Sequence, residues 1–237
     1  MELEDNYKDI IKKAERGLNK KADSDDVYEI ARELNLNAKA LKKIKERKYK
    51  PRKFDYSKKY DGLKVAKISS SFMGGEVNAY IIIDENKDCV IIDTAQAPDK
   101  IIEFVKKEKL NSEYVLRTHE HNDHVEGADE ICEEFGTSNL DFEDLKDCPI
   151  INFGKRGIEV FWTPGHSEES LTYKIGKFLF VGDLIFAGSL GSGSYSYGLL
   201  LKSAKEILSF DEDLFIFPGH GPVTTVKEEK ENNAFIV

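Results

Sequence analysis

The stretch Thr118-His119-Glu120-His121-Asn122-Asp123-His124 packs three of the chain's five histidines into seven residues. It follows Tyr114-Val115-Leu116-Arg117, which reads as a short strand, so the histidines leave a strand end on a loop. On such an exit His119 and His121, two positions apart, put both side chains on one side and can grip one ion. Asp123 and His124 follow on the turn and reach a second ion beside the first. The other two histidines also sit just past strand-like runs. Thr163-Pro164-Gly165-His166 follows Ile158–Trp162, and Pro218-Gly219-His220-Gly221 follows Leu214–Phe217. Gly182-Asp183 ends a further strand, Phe178–Val181, where a carboxylate is placed to bridge the ions. No histidine lies outside these motifs. Imidazole is the commonest protein ligand for metals, and a mixed imidazole and carboxylate set accepts zinc, iron or manganese. Three groups plus a shared carboxylate per ion leave room for water, as a catalytic site requires. Each piece alone is ordinary: H-x-H is common, and Pro-Gly-His and Gly-Asp are turns. The ordered set carries the reading.

That ordered set resembles the metallo-β-lactamase superfamily over about Leu63 to Val237. The resemblance implies an α/β fold, a four-layer αββα sandwich with metals at one edge between two sheets. Gly182-Asp183-Leu184-Ile185-Phe186-Ala187-Gly188-Ser189 and the tail from Pro218 to Phe235 are similar to single-domain glyoxalase II-like (hydroxyacylglutathione hydrolase-like) enzymes. It further implies that His119, His121 and His166 bind one metal, that Asp123, His124 and His220 bind a second, and that Asp183 bridges. Asp123 and Asp183 would then be the catalytic carboxylates that orient a metal-bridging hydroxide. The implied activity is hydrolysis of a thioester or ester with two divalent ions, zinc first, iron or manganese otherwise. Several relatives fit less well. True β-lactamases of the family usually carry Cys or Ser where this chain has Asp183. Flavodiiron oxidoreductases carry Glu where it has His121, and RNA-processing members insert long arms where His166 to His220 is short. Two departures put glutathione recognition in doubt. Ser189 to Tyr197 lacks the Arg that many relatives hold there, and the chain ends seventeen residues past His220 without the helical domain of larger glyoxalase II enzymes. Ser192, Ser194, Tyr195 and Tyr197 either line a substrate pocket or form a flexible Gly/Ser loop. A second reading is a persulfide dioxygenase-like oxidoreductase with one iron on His119, His166 and Asp183.

Upstream of Leu63 the pattern is helical, which divides the 237 residues into an extension, 1–55, and a main domain, 62–237. Asn6–Leu18 repeats apolar residues at Tyr7, Ile10, Ile11, Ala14 and Leu18. Ser24-Asp25-Asp26 caps a helix over Val27–Leu34, and a third runs from Ala38 to Lys48 with Leu41 and Ile44 inward. Pro51 stops it, and 51–61 reads as a linker. Net charge is −9, but residues 1–60 carry +6 and the rest −15, implying two different surfaces. Glu29 to Ile44 resembles half of a helix-turn-helix, and Lys39–Lys53 holds nine basic residues and one acidic. That motivates a third reading, a regulator that binds nucleic acid. The alternatives are a helical cap with a solvated basic face, a cover over the site mouth, or a homodimer contact.

Past Leu63, Lys64–Ile68, Asn78–Ile83, Asp88–Asp93 and Leu171–Ile175 read as strands, with a turn at Met73-Gly74-Gly75. Ala97-Pro98-Asp99 opens a helix with Ile101, Ile102 and Val105 inward. Val125–Glu134 and Tyr197–Leu208 read as helices, and Thr137–Pro149 as irregular. Cys89, Cys132 and Cys148 are odd in number and lack CxxC spacing, as in a cytoplasmic protein with reduced thiols. No apolar run approaches the roughly 18 residues of a membrane span. Met1-Glu2-Leu3-Glu4-Asp5 is acidic and does not read as a secretory signal; the hydrolase resemblance implies a small-molecule substrate as the partner.

Overall fold

The computed structural model describes residues 3–72 and 75–237; the turn expected at Met73-Gly74 lies outside them. The chain opens with three helices, α1 (Leu3–Leu18), α2 (Val27–Glu33) and α3 (Ala38–Lys45). Strands β1 (Lys64–Phe72), β2 (Gly75–Ile83) and β3 (Asp88–Ile92) follow, then α4 (Pro98–Glu108), β4 (Asn111–Leu116), α5 (Asn122–Val125), α6 (Ala128–Phe135) and β5 (Ser138–Leu140). Next come α7 (Phe142–Leu145), β6 (Ile150–Phe153), β7 (Arg156–Trp162), β8 (Leu171–Ile175) and β9 (Phe178–Gly182). The chain closes with β10 (Ile185–Phe186), β11 (Ser189–Leu190), α8 (Tyr197–Ile207), β12 (Phe215–Pro218), β13 (Thr224–Thr225) and α9 (Val226–Asn232). β1 to β5 form one sheet in sequence order, and β13-β12-β9-β8-β7-β6 form another.

The alternation of side chains along each strand builds the layers. Tyr80 and Ile82 of β2 and Val90 and Ile92 of β3 face a core shared with Phe178 and Phe180 of β9 and Phe217 of β12. Their neighbours Ala79, Ile81, Cys89 and Ile91 point the other way, against Ile101 and Val105 of α4 and Ile131 of α6. On the far sheet Leu179, Val181 and Ile216 point outward under Leu200, Ala204 and Ile207 of α8. The result is helix, sheet, sheet, helix, with β2, β3, β8 and β9 buried on both faces, which is why they read as near-continuous apolar runs. Ile10, Ala14, Ile30, Leu34, Leu41 and Ile44 of the first three helices belong to that same outer core.

Four expectations are corrected. The helix expected over Val125–Glu134 runs from Ala128 to Phe135, because the chain turns at Gly127 with φ +82°, and Val125 instead ends the short α5. Thr137–Pro149 is not irregular throughout: it holds β5, parallel to β4, and α7, closed by a capping box of Asp141 and Asp144. The third helix stops at Lys45 rather than Lys48, since Glu46 caps it and Arg47 takes φ +57°. Residues 51–61 lack helix or strand but are packed, not extended. Phe54 lies 5.0 Å from Tyr60, Phe215 and Phe217, centroid to centroid. The basic helix α3 is also engaged. Its cap residue Asn37 donates from its backbone to Ala234 O and from Nδ2 to Ile236 O, at 2.8 and 3.0 Å, and Lys43 donates to Asn232. Among the described residues no helix is long and apolar enough to cross a membrane.

Candidate metal centre

The ends of β3, β4, β9 and β12 and the loop after β7 converge at one edge of the sandwich. β4 runs out at Leu116, and Thr118 is tied to the end of β3: its backbone N and its Oγ1 both donate to the Asp93 carboxylate at 2.8 Å. His119 and His121 then project from the loop, and α5 carries Asp123 and His124. β7 leads to His166, β9 to Asp183 and β12 to His220. All seven residues singled out in the sequence meet here. His119, His121 and His166 form one group of donor atoms within 4.8 Å of one another; His119, His124 and Asp183 form a second, and Asp123, His124 and His220 a third.

The hydrogen bonds on the far side of each ring decide what faces inward. His166 Nδ1 lies 3.0 Å from Ser192 O, and His220 Nδ1 lies 2.8 Å from Glu76 O. His124 Nδ1 lies 2.8 Å from Asp93 Oδ2. These partners only accept, so Nδ1 carries the proton in each case. His119 Nδ1 lies 3.1 Å from Thr118 Oγ1, whose own hydrogen goes to Asp93, so it donates as well. Four rings therefore aim Nε2 into the site. His121 presents Nδ1 instead, 3.0 Å from His119 Nε2 and 2.9 Å from His166 Nε2. Three ring nitrogens, two of them bare lone pairs, are pressed together at that point. A cation among them turns repulsion into coordination.

Asp183 stands between the groups. Its Oδ1 is 3.4 Å from His124 Nε2, and its Oδ2 is 3.6 Å from His166 Nε2 and 3.5 Å from His220 Nε2. Asp123 Oδ2 is 3.3 Å from His220 Nε2 and 3.7 Å from His124 Nε2. His124 Nε2 and Asp183 Oδ1 are buried and make no hydrogen bond, a cost natural proteins seldom accept without an ion or water to satisfy it. The donor set thus fits divalent metal: neutral imidazoles and carboxylates, with two buried atoms left for it. The electrostatics differ from ring to ring. Burial lowers the pKa of His119 and His166, which keeps them neutral. Burial also opposes charge on His124, but the carboxylates of Asp93 and Asp183 outweigh it and hold its pKa well above the usual value. Burial likewise opposes charge on Asp183, yet His124 and His220 hold its carboxyl well below the usual range. The pocket stabilises positive charge beside Asp183.

Sequence reasoning missed the supports. Asp93, 2% exposed, orients both His124 and Thr118, and its only trace in the sequence is a charge ending an apolar run. Asn78, fully buried, donates from Nδ2 to Pro218 O and Gly221 O at 3.1 and 3.0 Å and so fixes the loop that carries His220. Gly219 in that loop is obligatory: a Cβ there would lie 2.5 Å from both Asp183 Oδ1 and His124 Cε1. Of the four residues proposed to line a pocket, Ser192 touches His166 through Oγ at 3.4 Å, and Ser194 hydrogen-bonds Ser192. Tyr195 is half exposed, while Tyr197 begins α8 and packs on Phe235.

Comparison with known proteins gives the family. Residues 73–140 and 150–220, more than half of the chain, match the profile described as Metallo-beta-lactamase superfamily. A Haemophilus influenzae protein named Hydroxyacylglutathione hydrolase GloC is 27% identical over 195 residues, covering 67% of this chain and 92% of that protein. The crystal structure of BLEG-1 B3 metallo-beta-lactamase superposes with a TM-score of 0.67 at 27% identity, covering 73% of this chain and 99% of that one. TTHA1623 in a di-iron-bound form superposes with a TM-score of 0.61 at 25% identity, covering 70% and 98%. The chain belongs to the metallo-beta-lactamase superfamily and is a metal-dependent hydrolase.

Proposed function

We propose that the enzyme holds two divalent ions and hydrolyses a thioester or ester. The observation that carries this reading is the position of Asp183, one carboxylate reaching His124 with one oxygen and His166 and His220 with the other. His119, His121 and His166 would hold one ion, Asp123, His124 and His220 the other, and Asp183 both. Bound there, the ions would supply an activated hydroxide and stabilise oxyanion charge on the carbonyl oxygen. The chain's own residues do the rest. Asp93, Ser192 O and Glu76 O keep His124, His166 and His220 in the tautomer that points Nε2 inward. Asp123 and Asp183 orient the attacking water and accept or return its proton, their oxygens lying on the inner side of the cluster. Burial of His119, Asp123 and His124 shields the inner side of the cluster, while exposed His121 leaves its outer side open to substrate.

The substrate class follows from the relative named for hydroxyacylglutathione hydrolysis, at modest identity. The aspartate at position 183 favours it over a β-lactam. Zinc is the first choice of metal, with iron and manganese served by the same donors; the di-iron relative makes iron a real competitor. The test has two parts. Elemental analysis of the purified chain should give about two metal ions per chain, as expected of a two-metal site; one iron per chain would instead support a mononuclear oxidoreductase. His121→Ala and Asp183→Ala should abolish metal-dependent thioester hydrolysis and leave the protein soluble. Near-normal turnover in both would sink the mechanism.

A further inference from the structure

β10 and β11 form a hairpin of two residue pairs, Ile185 with Leu190 and Phe186 with Ser189. It opens just past Asp183 and closes just before Ser192. Gly191 N donates to Leu184 O at 3.2 Å across its base. Ser192 O takes the proton of His166 Nδ1, and the Phe186 ring stands edge-on to the His220 ring, centroids 5.8 Å apart. The hairpin therefore touches or adjoins three of the metal-site residues. A ladder this short is not stable by itself, so its position depends on what backs it.

Two segments back it. The C-terminal tail holds the turn: Gly188 N donates to Glu229 Oε2 at 2.9 Å, Ala234 N to Gly188 O at 3.1 Å and Asn233 Nδ2 to Ser189 O at 2.8 Å. The N-terminal helix holds the second strand through Lys13, whose Nζ donates to Leu190 O at 2.8 Å. The same ammonium lies 5.1 Å from the Phe186 ring centroid and pairs with Asp9 Oδ2 at 2.7 Å, one turn back on α1. The Lys13 side chain is only 15% exposed. Two of its three donors are committed and the aromatic face takes up much of the rest, so it is placed to brace the hairpin, not to bind a ligand.

We propose that Lys13 is a positioning residue for the metal centre. Through Leu190 O it sets the height of Ser192 O, and with it the direction of His166 Nε2. Through Phe186 it presses an aromatic edge against His220. The N-terminal helix is then a working part of the metal centre. This proposal rests on the metal reading above. The test is cobalt(II) titration of the full-length chain after dialysis against a chelator, followed by the visible spectrum and by chelator competition. Lys13→Met should bind cobalt about tenfold more weakly, the usual scale for losing an outer support, and with an altered spectrum. Its kcat should fall with KM unchanged, and Lys13→Arg should recover most of the affinity. Lys12→Met, on the exposed side of the same helix, should match the parent. Cobalt affinity and spectrum in Lys13→Met equal to the parent would overturn the proposal. If Lys13→Met is recovered only as aggregate, Lys13→Gln decides, since it keeps a polar side chain and removes the ammonium that reaches Leu190 O and Phe186: a weaker cobalt affinity supports the brace, and an unchanged one overturns it. A parent that takes up no cobalt would bring down the metal reading and this inference together.

Discussion

Asp93 accepts three hydrogen bonds, from Thr118 N, Thr118 Oγ1 and His124 Nδ1. In Asp93→Asn the amide can no longer accept all three, and His124 loses the partner that fixes its tautomer. Metal affinity should drop by about 10- to 100-fold with the fold intact, measured by chelator competition and by circular dichroism. Retained affinity would mean that Thr118 and the packing of α5 suffice to hold His124. At this scale the sequence showed the inward-facing groups and hid what holds them. Histidine and aspartate in ordered motifs announce coordination chemistry. Asp93 ends an apolar strand and looks like any charge at a strand end. The acceptors for His166 and His220 are the backbone carbonyls of Ser192 and Glu76, and a backbone atom has no letter in the sequence.

The His220 loop shows the same division at the scale of elements. Its strand, β12, was legible because Phe215-Ile216-Phe217 is an apolar run ahead of Pro218. The clamp across it comes from β2, a strand distant in sequence. Asn78 contributes two side-chain donors to the loop, its backbone N donates to Gly219 O at 2.8 Å, and Tyr80 OH donates to Pro218 O at 2.8 Å. Asn78→Ala removes both side-chain bonds, leaving Pro218 O with Tyr80 OH and taking its side-chain donor from the half-buried Gly221 O. We expect a loss of about 2–3 kcal/mol, visible as a Tm lowered by roughly 5–10 °C, with weaker metal retention. An unchanged melting curve would show that the backbone bonds alone secure the loop. Elements of two or three residues, β5, β10, β11 and β13, escaped the sequence reading for a physical reason: period two cannot be established over a single repeat. Tertiary pairing creates them, and the hairpin among them turns out to border the site.

Over the whole molecule, the first three helices and the last one close a single apolar core with α8. The segment reads as separate in sequence because its charge and period differ from the rest, while its packing partners lie some two hundred positions away. A chain lacking residues 1–50 would uncover Leu200, Ile207, Leu214 and Val226, and we expect it to aggregate on expression. Recovery of a soluble, metal-binding fragment would show the extension to be dispensable. At the seam between the two ends, the fully buried Glu229 accepts from Tyr49 OH, Thr224 Oγ1, Gly188 N and Asn233 Nδ2. Burial nevertheless pushes its pKa up to about 7 from 4.5. A carboxyl raised in the folded state binds its proton more tightly there than when unfolded. Its stabilisation is therefore full below about pH 4.5 and is lost as pH rises through about 7. Comparing Glu229→Gln with the parent at pH 5 and pH 8 by chemical denaturation isolates the effect. The variant should gain up to about 3 kcal/mol relative to the parent at the higher pH; a constant offset would place the ionisation elsewhere. The seam also sets an order of events during synthesis. Asn37 is made 199 residues ahead of its partner Ile236 and nearly as far ahead of Ala234, and the two bonds close the loop between them. The early helices must wait, unseated, for the tail. The hairpin beside His220 cannot reach its final place until the segment through Asn233 and Ala234 has been made, so metal uptake waits on that segment.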